Sequence, residues 1–170
     1  MEKELRFNAE VLAIAQEIIK NNPPLGPRAT ISERTIRSQK ILETWKQECC
    51  HVDPNLVAEI PDPNARLFQF ALHDKKNKIV YELKLNTTNP KVFLDKLVRK
   101  LIIYNTLRDA SGDCRGLAES IRGKDYHEIS EVYVFTHANV IEVYEEALLK
   151  HYLCTVQIKF GVEIYFHALA

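Results

Sequence analysis

The run Lys78-Ile79-Val80-Tyr81-Glu82-Leu83-Lys84-Leu85 restricts what this chain can fold into more than any other segment. Side chains on a strand alternate between faces, so Val80, Glu82, Lys84 and Asn86 form one row and Tyr81, Leu83 and Leu85 the opposite, apolar row. A helix would scatter both sets. The sequence therefore predicts a sheet with something apolar against one face. On the other face a carboxylate and an ammonium stand side by side, a poor core but a good place to hold a divalent cation and stabilise a developing anion.

The flanking segments supply the rest of the architecture. Leu5, Val11, Leu12, Ile14, Ala15, Ile18 and Ile19 are spaced as one face of a helix that stops at Asn21-Asn22-Pro23-Pro24. A stiff connector to Pro27 follows. A second helix starts at Thr30 or Ser32, with Glu33 in its first turn, and runs to about Cys50. Ile36, Ile41, Leu42 and Trp45 mark its expected buried stripe, and Val52-Asp53-Pro54 breaks it. Three strands are predicted next, over 55–60, 66–73 and 78–86, the last two joined by the polar turn Asp74-Lys75-Lys76-Asn77. Asn89-Pro90 opens a long helix to about Leu107, since proline suits a first helical turn. The stretch 109–125 reads as a loop. A strand over 129–136, a helix over 138–150 and a closing β-hairpin of 155–158 with 162–166 around Gly161 complete the chain.

A chain of 170 residues, 46% hydrophobic and 27% charged, can bury a core as one domain without staples. No apolar run approaches the roughly 20 residues of a membrane span, and the charged start Met1-Glu2-Lys3-Glu4-Leu5-Arg6 is no signal peptide. A cytoplasmic protein with no membrane partner is expected. The cysteines Cys49, Cys50, Cys114 and Cys154 fit no zinc pattern and read as reduced thiols. The six histidines form no close pair, and only His73, on the strand beside the Glu-Leu-Lys run, is placed to approach Lys84.

A net charge of zero argues against a nonspecific polyanion binder, but the charge is unevenly spread. Residues 75–108 carry nine Lys or Arg against two acidic residues, whereas residues 109–150 carry four against nine. The basic block surrounds the Glu-Leu-Lys strand and the helix after it, which suits a surface that meets phosphates.

Pro61-Asp62, with nineteen residues between Asp62 and Glu82, completes a pattern with Glu82-Leu83-Lys84. Together with the order helix, three strands, helix, strand over about 30–136, it resembles the PD-(D/E)xK nuclease superfamily, which includes many type II restriction endonucleases. The resemblance implies an α/β restriction endonuclease-like core, α-β-β-β-α-β, with a mixed central sheet flanked by helices. An extra N-terminal helix and a C-terminal helix plus β-hairpin would decorate it within one domain over 1–170. It further implies a metal-dependent DNA endonuclease, a hydrolase of phosphodiester bonds using Mg²⁺ or Mn²⁺.

Hard oxygen ligands suit such ions. By the resemblance, Asp62 and Glu82 would be catalytic metal ligands, with the main-chain carbonyl of Leu83 a further ligand. Lys84 would activate water or stabilise phosphate. A Glu of the early helix, Glu33 or Glu43, is a possible addition. The chain departs from the pattern in one respect: Asp62 precedes its strand by several residues. Either it folds back onto the site, or Gln69 stands in the acidic position and the site is altered.

Double-stranded DNA, gripped by Lys40, Lys91, Arg115, Arg122 and Lys124, and a homodimer for cutting both strands are the expected partners. The alternative is a catalytically inactive nuclease-like module that binds nucleic acid or a protein.

Overall fold

The computed structural model describes residues 7–58, 70–85, 89–108, 128–152 and 154–169. It is an α/β arrangement in which a five-stranded mixed sheet lies between two pairs of helices. Helix α1 spans Ala9–Asn21 and α2 Ile31–Val52; strands β1, β2 and β3 are Leu56–Ala58, Leu72–Asp74 and Ile79–Leu83. Helix α3 is Pro90–Arg108, β4 Glu131–Thr136, α4 Ala138–His151 and β5 Glu163–Ala168. The strands lie in chain order, antiparallel from β1 to β3 and parallel from β3 to β5.

Local chemistry fixes the element ends. Thr30 accepts a hydrogen bond from Glu33 N at 3.1 Å while Glu33 accepts one from Thr30 N at 3.0 Å, a reciprocal capping box that starts α2. In the β2–β3 turn the Asp74 carboxylate accepts from Asn77 N at 3.1 Å and Asn77 Nδ2 at 2.8 Å. Lys78 closes that turn with φ 61°, an uncommon conformation for a residue with a Cβ.

Strand alternation divides the core in two. Leu72, Ile79, Tyr81, Tyr133 and Phe135 pack on α1 and α2 with Val11, Ile41 and Trp45. Val80, Val132, Val134 and Ile164 pack on α3 and α4 with Leu94, Leu101, Tyr104 and Tyr144. Register keeps like with like: Tyr81, Tyr133 and Tyr165 stand abreast on three strands, their rings stacked 5.9 Å and 5.2 Å apart.

Two expectations need correction. Ile36, expected on the buried stripe of α2, is 65% exposed; burial begins at Ile41. At about 1.5 Å per residue the 22-residue helix is roughly 33 Å long, whereas a six-residue strand covers only about 20 Å, so the first turns overhang the sheet. The closing β-hairpin is also absent. Cys154–Lys159 is a π-helical turn, and β5 runs parallel to β4. After α4 the chain is back at the end of the sheet where β4 begins, so β5 starts beside it without a reversing strand, and helical hydrogen bonding carries the chain on to it: Val156 N donates to Tyr152 O at 2.9 Å. Gly161, at φ 68°, then reverses the chain in a conformation that favours glycine.

No helix among the described residues is long and apolar enough to cross a membrane.

Candidate functional site

The three parallel strands end together, and the Glu-Leu-Lys run occupies the end of β3 there. Glu82 follows Val80 on the α3 side and lies beside Val134 of β4. Its Oε1 accepts from Ala71 N at 3.2 Å and faces Lys100 Nζ of α3 at 3.5 Å. Lys84, two residues on, extends the ladder by donating its N–H to Phe135 O at 2.8 Å. Its ammonium sits 5.3 Å from the ring centre of Phe93, also on α3. Glu82 and Lys84 therefore share a face, both half-buried, under one helix.

Burial pushes the Lys84 pKa down, and the cations Lys96 and Lys100 push it further; Glu82 opposes them. A lysine held this way is a better proton acceptor than an exposed one, and its cationic form seeks an anion. Lys100 lies 5.8 Å over the Phe70 ring as well as near Glu82, so two aromatic rings and one carboxylate hold the two ammonium groups apart.

The remaining candidates are distributed as follows. Leu83 points its side chain to the opposite face, against the α1 and α2 core, which leaves its carbonyl as the only group it can offer a ligand. Glu33 is engaged in the capping box, and Glu43 pairs with Lys46 at 3.0 Å. Both belong to α2, which packs on the other face of the sheet, so the structure does not bring them to Glu82. Lys40 is exposed on that same helix, whereas Lys91 is exposed in the first turn of α3. Asp62, Gln69, Arg115, Arg122 and Lys124 lie outside the described residues.

His73 does not approach Lys84. It pairs with Val80, farther back along β3, and its ring lies 5.9 Å from Phe70 and 6.1 Å from Tyr104 in the core. Asp74 is buried in the next row, which faces α2. Lys96 and Lys100 of α3 also belong to the site, beside the apolar Phe93 of the same helix, and no motif marks them. The signal was the spacing: 96 and 100 are one helical turn apart, and 93 precedes 96 by three.

No group of three or more His, Cys, Asp or Glu among the described residues stands ready to hold a metal ion. Glu82 is the carboxylate the site offers there, and its contact with Lys100 is long and easily surrendered. Mg²⁺ commonly takes one or two protein carboxylates and completes its shell with water and substrate phosphate. Glu82 with the Leu83 carbonyl fits the lower end of that requirement.

No protein-family model, curated protein or solved structure matches the chain.

Proposed function

We propose that this protein is a metal-dependent endonuclease of the PD-(D/E)xK type, a restriction-type enzyme that hydrolyses phosphodiester bonds of double-stranded DNA as a homodimer. The observation that carries the reading is the placement of Glu82 and Lys84 on one face at the end of β3, beneath the cationic side of α3. The mixed sheet and the order of its elements support it, since the expected core is α-β-β-β-α-β around such a sheet.

Glu82, the Leu83 carbonyl and Asp62 would hold Mg²⁺ or Mn²⁺, and the ion when bound would supply Lewis-acid neutralisation and lower the pKa of coordinated water. The residues of the chain do the rest. Lys84, its pKa lowered, accepts a proton from the attacking water or, as ammonium, neutralises a phosphoryl oxygen. Lys96 and Lys100 add positive potential where the phosphodiester backbone arrives. Lys100 also holds Glu82 in place until a stronger cation displaces it.

A second reading has its own support. Glu82 Oε1 already serves both Ala71 N and Lys100, an arrangement that satisfies the carboxylate without a metal. On this reading the chain is an inactive nuclease-like module that grips nucleic acid or a protein partner. Incubating wild-type protein with duplex DNA in Mg²⁺ or Mn²⁺ separates the two. Cleavage that stops on adding EDTA supports the enzyme; retarded but intact DNA in every metal supports the binding module.

A further inference from the structure

On the other face of the sheet, beyond the same strand ends, lies a cavity of about 210 Å³. It is lined by Ile19, Pro24, Leu25, Arg34, Arg37, Leu85 and His137. Leu85 is the residue after Lys84, so the cavity and the Glu82–Lys84 site flank a single strand end from opposite sides.

Its chemistry is one-sided. Arg34 and Arg37 are three residues apart on α2 and so share a helix face. Arg34 spends one N–H on Gly26 O at 3.0 Å, and Arg37 spends one on Asn22 O. Among the described residues neither guanidinium is paired with a carboxylate and no acidic residue lines the cavity. Arg37 Nε is buried and meets no hydrogen-bond acceptor among the described residues. That nitrogen has no accessible surface, so a ligand in the cavity would meet the terminal N–H groups instead. His137 Nε2 lies 2.8 Å from Leu85 O, and since a carbonyl only accepts, Nε2 must donate; that bond fixes the ring as a wall.

We infer that this cavity binds a phosphate group, with the terminal N–H groups of Arg34 and Arg37 as its ligands. One planar guanidinium is enough to satisfy the two oxygens of a carboxylate. Two guanidiniums converging from successive turns suit a ligand with more oxygens and more charge. The volume favours a small group over a drug-sized molecule, for which cavities run to roughly 300–1,000 Å³. Free phosphate and the terminal phosphate of a nucleic-acid strand share this chemistry. The site stands apart from the Glu82–Lys84 reading, because it needs no metal and no cleavage.

The test is the arginine Nε–H NMR signal of Arg37 in ¹⁵N-labelled full-length protein, with EDTA present throughout. Inorganic phosphate is titrated first, then acetate, then a pentathymidylate with and without a 5′-phosphate. Phosphate should move the Arg37 signal saturably, at least about tenfold more tightly than acetate. The exposed substitution Arg34→Gln should weaken that binding about tenfold or more, and Arg37→Lys should do the same if it folds. Tighter binding by the phosphorylated strand than by free phosphate identifies a strand end as the ligand; equal binding identifies phosphate itself. A signal that phosphate and the phosphorylated strand both leave unmoved overturns the inference. So does acetate matching phosphate, or an Arg34→Gln protein that binds like wild type.

Discussion

Lys100 Nζ stands 3.5 Å from Glu82 Oε1, joining the middle of α3 to the end of β3 at the point where the proposed chemistry takes place. Both side chains keep some access to water, so the pair stabilises the fold by only about 0–1 kcal/mol. Its larger effect is to occupy the carboxylate a metal would use. Lys100→Met should therefore raise Mn²⁺ affinity, measured by calorimetry, whereas Glu82→Gln should abolish Mn²⁺ binding at this site with a stability change within about 1 kcal/mol. Equal Mn²⁺ binding by wild type and Glu82→Gln would remove Glu82 from the ligand set.

The lowered pKa of Lys84 has a consequence for stability with a definite sign. In the unfolded chain Lys84 titrates at its ordinary value of 10.5; in the folded protein burial, Lys96 and Lys100 bring the value below that. Between the two values the unfolded state holds a proton that the native state has released. Stability contributed by this group therefore rises with pH across that window, up to about 10.5. Lys84→Met lacks the gain. Urea midpoints of the two proteins, measured from pH 7 to 10, should diverge in favour of wild type as pH rises; parallel curves would show that Lys84 titrates like an exposed lysine.

Trp45 ties α2 to α1 through a buried hydrogen bond from Nε1 to Val11 O at 3.0 Å. Trp45→Phe keeps an aromatic ring and loses this bond, while Val11 O keeps its place in the α1 ladder, so the hydrogen-bond cost is about 0.5–1.5 kcal/mol. Chemical denaturation followed by circular dichroism gives the value. A variant as stable as wild type would mean that the indole N–H bond adds nothing net to stability.

What the sequence disclosed follows from how local each determinant is. The Thr30–Glu33 box, Pro90 at the head of α3 and the turn chemistry of Asp74 and Asn77 act over three or four residues, and each lies where the sequence puts it. The alternation from Val80 to Lys84 likewise set the two faces of β3. Ile36 failed because its burial depends on how far α2 overhangs a sheet whose size no local pattern carries. The segment 154–159 failed because short Val and Ile runs fit a strand or a helical turn equally well until the direction of β5 is known. In the site, Glu82 and Lys84 were legible as an alternating pair. The roles of Lys96, Lys100 and Phe93 required knowing which face of α3 docks on the sheet.

The central claim is that Lys84 serves chemistry rather than architecture. Its Nζ rests over Phe93 at 5.3 Å, and removing a half-buried surface lysine costs little stability, typically within about 1 kcal/mol. The decisive measurement is duplex cleavage by Lys84→Ala in Mg²⁺, made beside its DNA affinity in EDTA. Cleavage should fall by at least about a hundredfold, the usual scale for a lost acid–base group, while affinity stays within a few-fold of wild type. Cleavage at the wild-type rate by a folded Lys84→Ala protein would contradict the account.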